Sequence, residues 1–265
     1  MRLALVTCAE FGLIDDDQFL VKALEARGLF ASPVVWTGPI DWSGYAAALV
    51  RTPWDYQGRL QEFLAFSRSV PVPLWHSPEL IAWNASKTYL LELIPQVPVV
   101  PTLLDPDWDE VPWDEVVVKP VVGASARGLV RLRRGQPLPT GLVQPYLPSV
   151  ACDGEFSLIF LDGRFTHAIR KQPAAGDFRV QEHLGGRSLP ALASPTLIAQ
   201  AEAVLACIEP TLYARVDFLP GPQGWLLSEL ELIEPELFFR CCPQAAEVLA
   251  DGIAARLAGG CALTA

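Results

Sequence analysis

Three acidic side chains in the last quarter of the chain carry the first chemical suggestion. Asp217 stands in Arg215-Val216-Asp217-Phe218-Leu219, and Glu229 and Glu231 stand in Ser228-Glu229-Leu230-Glu231. Both stretches read as short strands, and residues two apart on a strand point the same way, so Glu229 and Glu231 share a face. If the strands pair across a turn at 220–224, Asp217 can join them. Carboxylates that close cannot all stay ionised in a core unless something positive sits among them. Their hard oxygens suit Mg²⁺ or Mn²⁺, ions that commonly work with a phosphate substrate. The alternative is a strand whose acidic face simply meets water.

Cations recur at other points. Lys119 closes the apolar run 116–118 and leads into Pro120-Val121-Val122-Gly123-Ala124-Ser125-Ala126-Arg127-Gly128. Such a small-residue loop lets backbone N–H groups approach phosphate oxygens, and the ammonium adds a point charge. It lacks the GK[ST] of a Walker A loop, and an ordinary turn has the same look. Lys87, in Asn84-Ala85-Ser86-Lys87-Thr88, lies at a helix start, where a solvated lysine is the default. Arg179 sits on an extended segment before Gly185-Gly186, with Arg170 and Lys171 upstream; a solvated charge run is the plain alternative. Gln144-Pro145-Tyr146-Leu147 leaves a strand for a proline-rich connection and could offer backbone groups to a purine edge. His167 reads as structural or ligand-orienting. Cys241-Cys242 reads as a packed pair, since adjacent cysteines rarely meet disulfide geometry.

The elements that must position these residues change character along the chain. Up to about residue 80, strands at 2–8, 33–36, 46–51 and 73–75 alternate with helices at 17–27 and 59–69, which predicts a parallel sheet covered on both faces. Ligands gather beyond the carboxyl ends of such strands, where Cys8-Ala9-Glu10-Phe11 and Thr52-Pro53-Trp54-Asp55-Tyr56 lie. Beyond residue 80 the pattern is α+β. It comprises a helix at 86–93, strands at 116–119, 128–132 and 142–144, and a hairpin of 155–161 with 165–170 turned at Asp162-Gly163. A helix at 195–207 behind the N-cap Ser194, the acidic strands and a last helix at 243–257 complete it.

Composition bounds the partners. With 265 residues, 51% hydrophobic, the chain can bury a substantial core as one large domain or two to three small ones. A formal net charge of −10 argues against a general nucleic-acid binder but leaves room for a small anionic ligand. No apolar run approaches a membrane span, and the start reads as a buried strand rather than an export signal. Six Cys without a CxxC pair, and three His, make zinc unlikely and suit reduced thiols in a cytoplasmic protein.

In order and spacing these pieces resemble the ATP-grasp superfamily of ATP-dependent carboxylate ligases, along almost the whole chain. GDFRVQEHLGG at 176–186 is similar to a GDFR stretch of the ribosomal-protein glutamate ligases and glutathione synthetases. RVDFL with SELEL resembles the family's metal strands, NASKTYLLEL and VVKP its nucleotide lysines, and VQPYL its adenine hinge. RTPWDY, WNASKTYL, THAIRK and GDFRVQ look closest to the group containing the D-cycloserine-forming ligase. Glu231 departs from the pattern by replacing an Asn, Gln181 by replacing the Asn after the arginine, and Pro145 by replacing a common Glu.

The resemblance implies an ATP-grasp fold: an N-terminal parallel-sheet α/β domain at 1–80 and two α+β lobes, at 81–147 and 148–265, clasping the nucleotide. It implies an ADP-forming carboxylate–amine ligase that acts on a small amino-acid-like substrate through an acyl phosphate. Lys87 and Lys119 would neutralise the α- and β-phosphates of ATP, Gly123 and Ser125 would close over them, and Arg179 would stabilise the transferring phosphoryl group. Gln144, Tyr146 and Leu147 would read the base, and Glu155 would contact the nucleotide or its ribose. Asp217, Glu229 and Glu231 would hold one or two Mg²⁺ (or Mn²⁺) ions. Arg51, Trp54, Asp55, Tyr56 and Arg215 are the candidates for the substrate wall. A small-molecule partner and a monomer or homodimer are expected. Intramolecular ATP-driven cyclisation of a cycloserine-precursor-like substrate and an ATP sensor without turnover are the competing readings.

Overall fold

A computed structural model describes residues 1–259. The first strand, β1 (Arg2–Thr7), is buried from Leu3 onward and feeds α1 (Asp17–Glu25), whose Leu20, Ala23 and Leu24 face inward. Then β2 (Phe30–Val35), β3 (Tyr45–Thr52), α2 (Leu60–Ser69) and β4 (Leu74–Trp75) complete a parallel sheet of order β2-β1-β3-β4. One face of β1 (Leu3, Leu5) packs with α1, and the other (Ala4, Val6) packs with Phe63 and Leu64 of α2. The alternation expected of a doubly covered sheet is therefore present.

Two antiparallel sheets follow. In the smaller, β5 (Leu103–Leu104), β6 (Glu115–Lys119), β7 (Val130–Arg133) and β8 (Leu142–Pro145) lie in the order β5-β8-β6-β7. In the larger, β9 (Glu155–Leu161), β10 (Arg164–Gln172), β11 (Arg187–Ala191), β12 (Tyr213–Gly221) and β13 (Gly224–Glu231) lie in the order β11-β10-β9-β12-β13. Along β9, Leu158 and Phe160 enter one core with Leu197 and Ala201 of α6 (Pro195–Leu205). Ile159 and Leu161 enter another, shared with β1 and with Leu249 and Ile253 of the last helix, α7 (Gln244–Ala258). The C-terminal helix thus returns to pack against the N-terminal sheet region through α1.

Several expectations needed correction. The helix expected at 86–93 is only α4 (Tyr89–Leu93); α3 (Pro78–Asn84), capped by Ser77 with Pro78 opening it, precedes it unanticipated, and Lys87 lies in the turn between them. β5, β11 and α5 (Ser149–Asp153) were not anticipated. The strand expected from residue 128 begins at Val130, because Ser125, Ala126 and Gly128 all adopt positive φ and end the loop in a left-handed turn. At Gly128 a side chain would also meet Pro120 at 2.8 Å. The acidic hairpin turns on Pro222 and Gln223 alone, since β12 runs to Gly221 and β13 starts at Gly224. The five described cysteines are free; Cys8 is buried and Cys152 exposed, and Cys261 lies outside the described residues.

Candidate functional site

The hairpin of β12 and β13 sets Asp217 opposite Glu229 and Arg215 opposite Glu231. The positive charge that such a cluster demands is already in place. Lys171 Nζ donates to Asp217 Oδ2 at 2.9 Å, Arg215 Nη2 donates to the same oxygen at 3.0 Å, and Arg215 Nε reaches Oδ1 at 3.1 Å. Lys171 also pairs with Glu155, its neighbour across β9 and β10, and Arg215 pairs with Glu231. Charge alternates through Glu155, Lys171, Asp217, Arg215 and Glu231 across the sheet face. Burial would raise the Asp217 carboxyl, but Arg215 and Lys171 outweigh it and hold it well below the usual carboxylate range. Burial prevails at Glu231, whose carboxyl is raised despite Arg215.

Lys87 pairs with Glu229, and the Lys87 backbone N–H donates to Val121 O at 2.8 Å, tying the turn to the loop after β6. Burial lowers the Lys87 ammonium and Glu229 more than restores it, whereas Lys119 is left lowered by burial. Lys119 Nζ donates to Ser228 O at 3.3 Å. Both lysines, the loop residues Gly123 and Ser125, Arg179, Glu155, Glu229 and Glu231 line one cavity between the two antiparallel sheets. Its apolar wall comes from Val100, Val117, Val150, Phe178 and Leu219. Arg179 is held in place by Asp177, which accepts from its Nη2 at 2.8 Å and from its backbone N–H at 2.9 Å. The irregular 176–181 segment is followed by a 3-10 turn at Glu182–Leu184 and then by Gly186, where a side chain would strike Val180 O at 2.3 Å.

The segment 144–147 also lines this cavity, but its donors are few. The Gln144 side chain is buried and donates to Thr102 Oγ1 at 2.9 Å. The Tyr146 N–H donates to Glu115 O at 3.0 Å, its ring carries Arg131 at 3.5 Å, and Pro145 has no N–H. The Leu147 N–H, without a backbone partner among the described residues, is the donor left to face a ligand.

A second cavity adjoins the first at Ala124, Ser125, Val180, Gln181 and Glu231, and adds Trp54, Lys171, Arg215, Glu234, Glu236 and Phe238. Here the expected substrate wall divides. Trp54 and Arg215 face this cavity, whereas Arg51, Asp55 and Tyr56 do not line it. Arg51 is 1% exposed; its Nε donates to the buried Asp17 at 2.9 Å and its Nη2 to Pro235 O at 3.1 Å. Asp55 accepts from Trp36 Nε1 at 2.6 Å, and Tyr56 packs in the core against Phe63. Of the loop 52–56 at the end of β3, Trp54 alone lines the second cavity.

What sequence reasoning missed is the segment after β13. Six consecutive carbonyls are each held by a side chain from elsewhere. His76 Nδ1 lies 2.8 Å from Leu232 O, and the Tyr213 hydroxyl 3.0 Å from Ile233 O. Trp54 Nε1 donates to Glu234 O at 3.1 Å, Arg51 to Pro235 O at 3.1 Å and Arg215 Nη1 to Glu236 O at 3.3 Å. His167 Nε2 lies 3.0 Å from Leu237 O. Irregular backbone this buried needs such partners.

Glu229 and Glu231 fit a hard divalent ion: both side chains are about a quarter exposed, at 23% and 24%, and both line the cavity. Asp217, the third expected ligand, does not fit as it stands. Its side chain is 2% exposed, both oxygens are taken by cations, and it stands behind the cavity wall. Among the described residues no three His, Cys, Asp or Glu side chains converge as a ready-made metal cage. No described helix is long and apolar enough to cross a membrane.

Comparison with known proteins agrees with this architecture. The family model described as D-cycloserine synthetase DcsG, N-terminal domain, matches residues 3–85. The chain is 32% identical, over an alignment of 302 residues, to the cycloserine biosynthesis protein DcsG of Streptomyces lavendulae, covering 96% of this chain and 98% of that one. The crystal structure of D-cycloserine synthetase DcsG superposes with a TM-score of 0.85 at 30% identity, over 97% of this chain and all (100%) of that one. A RimK-domain ATP-grasp protein from Sphaerobacter thermophilus superposes with a TM-score of 0.69 at 16% identity, over 96% and 99%, a likeness of fold alone.

Proposed function

This chain belongs to the ATP-grasp ligase family that contains DcsG and has the ATP-grasp fold, and from that premise we propose that it activates the carboxyl group of a small amino-acid-like substrate with ATP and joins it to an amine. The convergence of Lys87, Lys119, Arg179, Glu229 and Glu231 on one cavity carries this reading. The base would lie at the apolar end, against Val117 and Leu219, with the Leu147 N–H available to it. The triphosphate would meet Lys87 and Lys119, with the loop from Gly123 to Gly128 above it. Glu229 and Glu231 would hold the magnesium ion, which would neutralise phosphate charge and polarise the γ-phosphoryl group. Arg179, steadied by Asp177, would stabilise charge on the phosphoryl group as the substrate carboxylate attacks. The amine would then attack the acyl carbon of the acyl phosphate so formed, forming the C–N bond as phosphate leaves and giving up a proton, so that ADP, phosphate and the amide are the products. None of these steps needs a covalent enzyme nucleophile; positioning and electrostatics suffice.

A second reading, ATP-driven closure of a ring within one substrate, is favoured by the likeness to DcsG along 98% of that protein's length. The same residues serve both reactions, because they differ only in whether the amine belongs to the molecule carrying the acyl group. Release of ADP and phosphate from a panel of amino acids, dipeptides and hydroxy acids tests the proposal. MgATP alone should raise the melting temperature, since a ligand at about a hundred times its Kd adds about 2.7 kcal/mol. A protein whose unfolding ignores millimolar MgATP would not be an ATP-dependent ligase.

A further inference from the structure

The carboxylates lining the two cavities are paired with one exception. Glu155 has Lys171, Glu229 has Lys87, Glu231 has Arg215, and Glu182 and Glu236 share Arg240. Glu234 has no cationic partner among the described residues, although it is only 8% exposed and lines the second cavity. Its neighbour is the Tyr56 hydroxyl, which can give a hydrogen bond but no charge. Lys87 exerts some attraction but is committed to Glu229. A buried carboxylate without a countercharge is costly, and it either keeps a proton or waits for a cation. Burial does push Glu234 up, to about 7.

The surroundings favour a cation from the cavity. Trp54 lines the same space, and an aromatic face attracts an ammonium group, while the Phe238 ring beside it already carries Arg240 at 4.9 Å. Trp54 Nε1 and Arg51 hold the carbonyls of Glu234 and Pro235, so the backbone beneath this carboxylate is fixed before anything binds. We propose that Glu234 is a specificity-determining residue of the second cavity, binding a protonated amine of the small substrate beside Trp54. The inference rests on reading the adjoining cavity as the site of ATP-dependent ligation.

The test uses the full chain with saturating MgATP and a panel of small α-amino acids of both hands, each matched with the hydroxy acid lacking the ammonium. Melting shift and ADP release are both read. Amine-bearing members should respond and their hydroxy partners should not. Glu234→Gln should raise KM for the responding amine by roughly 10- to 100-fold, leave KM for ATP unchanged, and melt no lower than wild type when ligand-free. Glu234→Asp should recover part of the affinity. Equal response to hydroxy acids, an unchanged KM in Glu234→Gln, or no response to any amine while MgATP still stabilises the protein would each overturn this role and leave the ligase reading standing. A protein indifferent to MgATP would overturn both.

Discussion

Asp217→Asn separates a structural anchor from a metal ligand. In the structure this carboxylate takes Lys171 on one side and Arg215 on the other, with its side chain 2% exposed. Removing the charge leaves two buried cations, each with one remaining partner, Glu155 or Glu231. Breaking a buried pair costs about 3–5 kcal/mol. The remaining partners and the near-identical shape of Asn place this change at the low end, about 3 kcal/mol. For a chain of this size that corresponds to a melting temperature roughly 6–12 °C lower. The sign with pH is fixed by the lowered carboxyl: its stabilisation is present above the unfolded value near ~4 and is lost as pH falls through the folded value. The gap between wild type and variant in ligand-free thermal melts should therefore be full at neutral pH and close on strong acidification. The Mg²⁺ dependence of nucleotide affinity is measured alongside. A variant that melts within about 2 °C of wild type but loses its Mg²⁺ dependence would refute the anchor and restore Asp217 as a ligand.

Three further changes probe separate parts of the molecule. His76 is 3% exposed and burial lowers its imidazole to about 4, so between the unfolded value near ~6.5 and 4 the unfolded chain takes a proton that the folded one refuses, costing up to roughly 3 kcal/mol as pH falls. Urea midpoints at acid and neutral pH should show this slope in wild type and lose it in His76→Gln; Glu234 slopes the opposite way in both proteins and cancels in the comparison. Glu231→Asn should keep the fold, weaken metal binding and ease ATP binding without metal, and identical Mg²⁺ titrations in the two proteins would show that Glu231 is no ligand. Asp17→Asn strands Arg51 in the core and should cost about 3–5 kcal/mol while MgATP still shifts the melt; loss of nucleotide binding with unchanged stability would return Arg51 to the site.

The parts legible in the sequence are those written locally. Asp162-Gly163 turns its hairpin, Ser194 caps α6, and the alternation of β1 marks a sheet buried on both faces. Ser77-Pro78-Glu79 is an equally local start signal, with Ser77 capping α3 and Pro78 opening it. β5 and β11 are edge strands of two and five residues, exposed or half-exposed, so no apolar pattern announces them. The period-two rule that joined Glu229 to Glu231 also puts Arg215 beside Asp217, and that cation could have been read from the sequence. Lys171 could not, because it reaches Asp217 only through the strand order that sets β10, β9 and β12 side by side. Arg51 was misplaced for a similar reason: its partner Asp17 comes from α1, on a connection that sequence spacing does not encode.

The six carbonyls after β13 bear on how this cavity can change over time. Their positions are set by His76, Tyr213, Trp54, Arg51, Arg215 and His167, none of which belongs to the segment itself. Side chains at 234 and 236 can therefore be exchanged with little disturbance to the main chain that carries them. A wall of this kind lets selection, or an engineer, alter the lining of the second cavity by single substitutions while the lysines and carboxylates of the adjoining cavity stay in register.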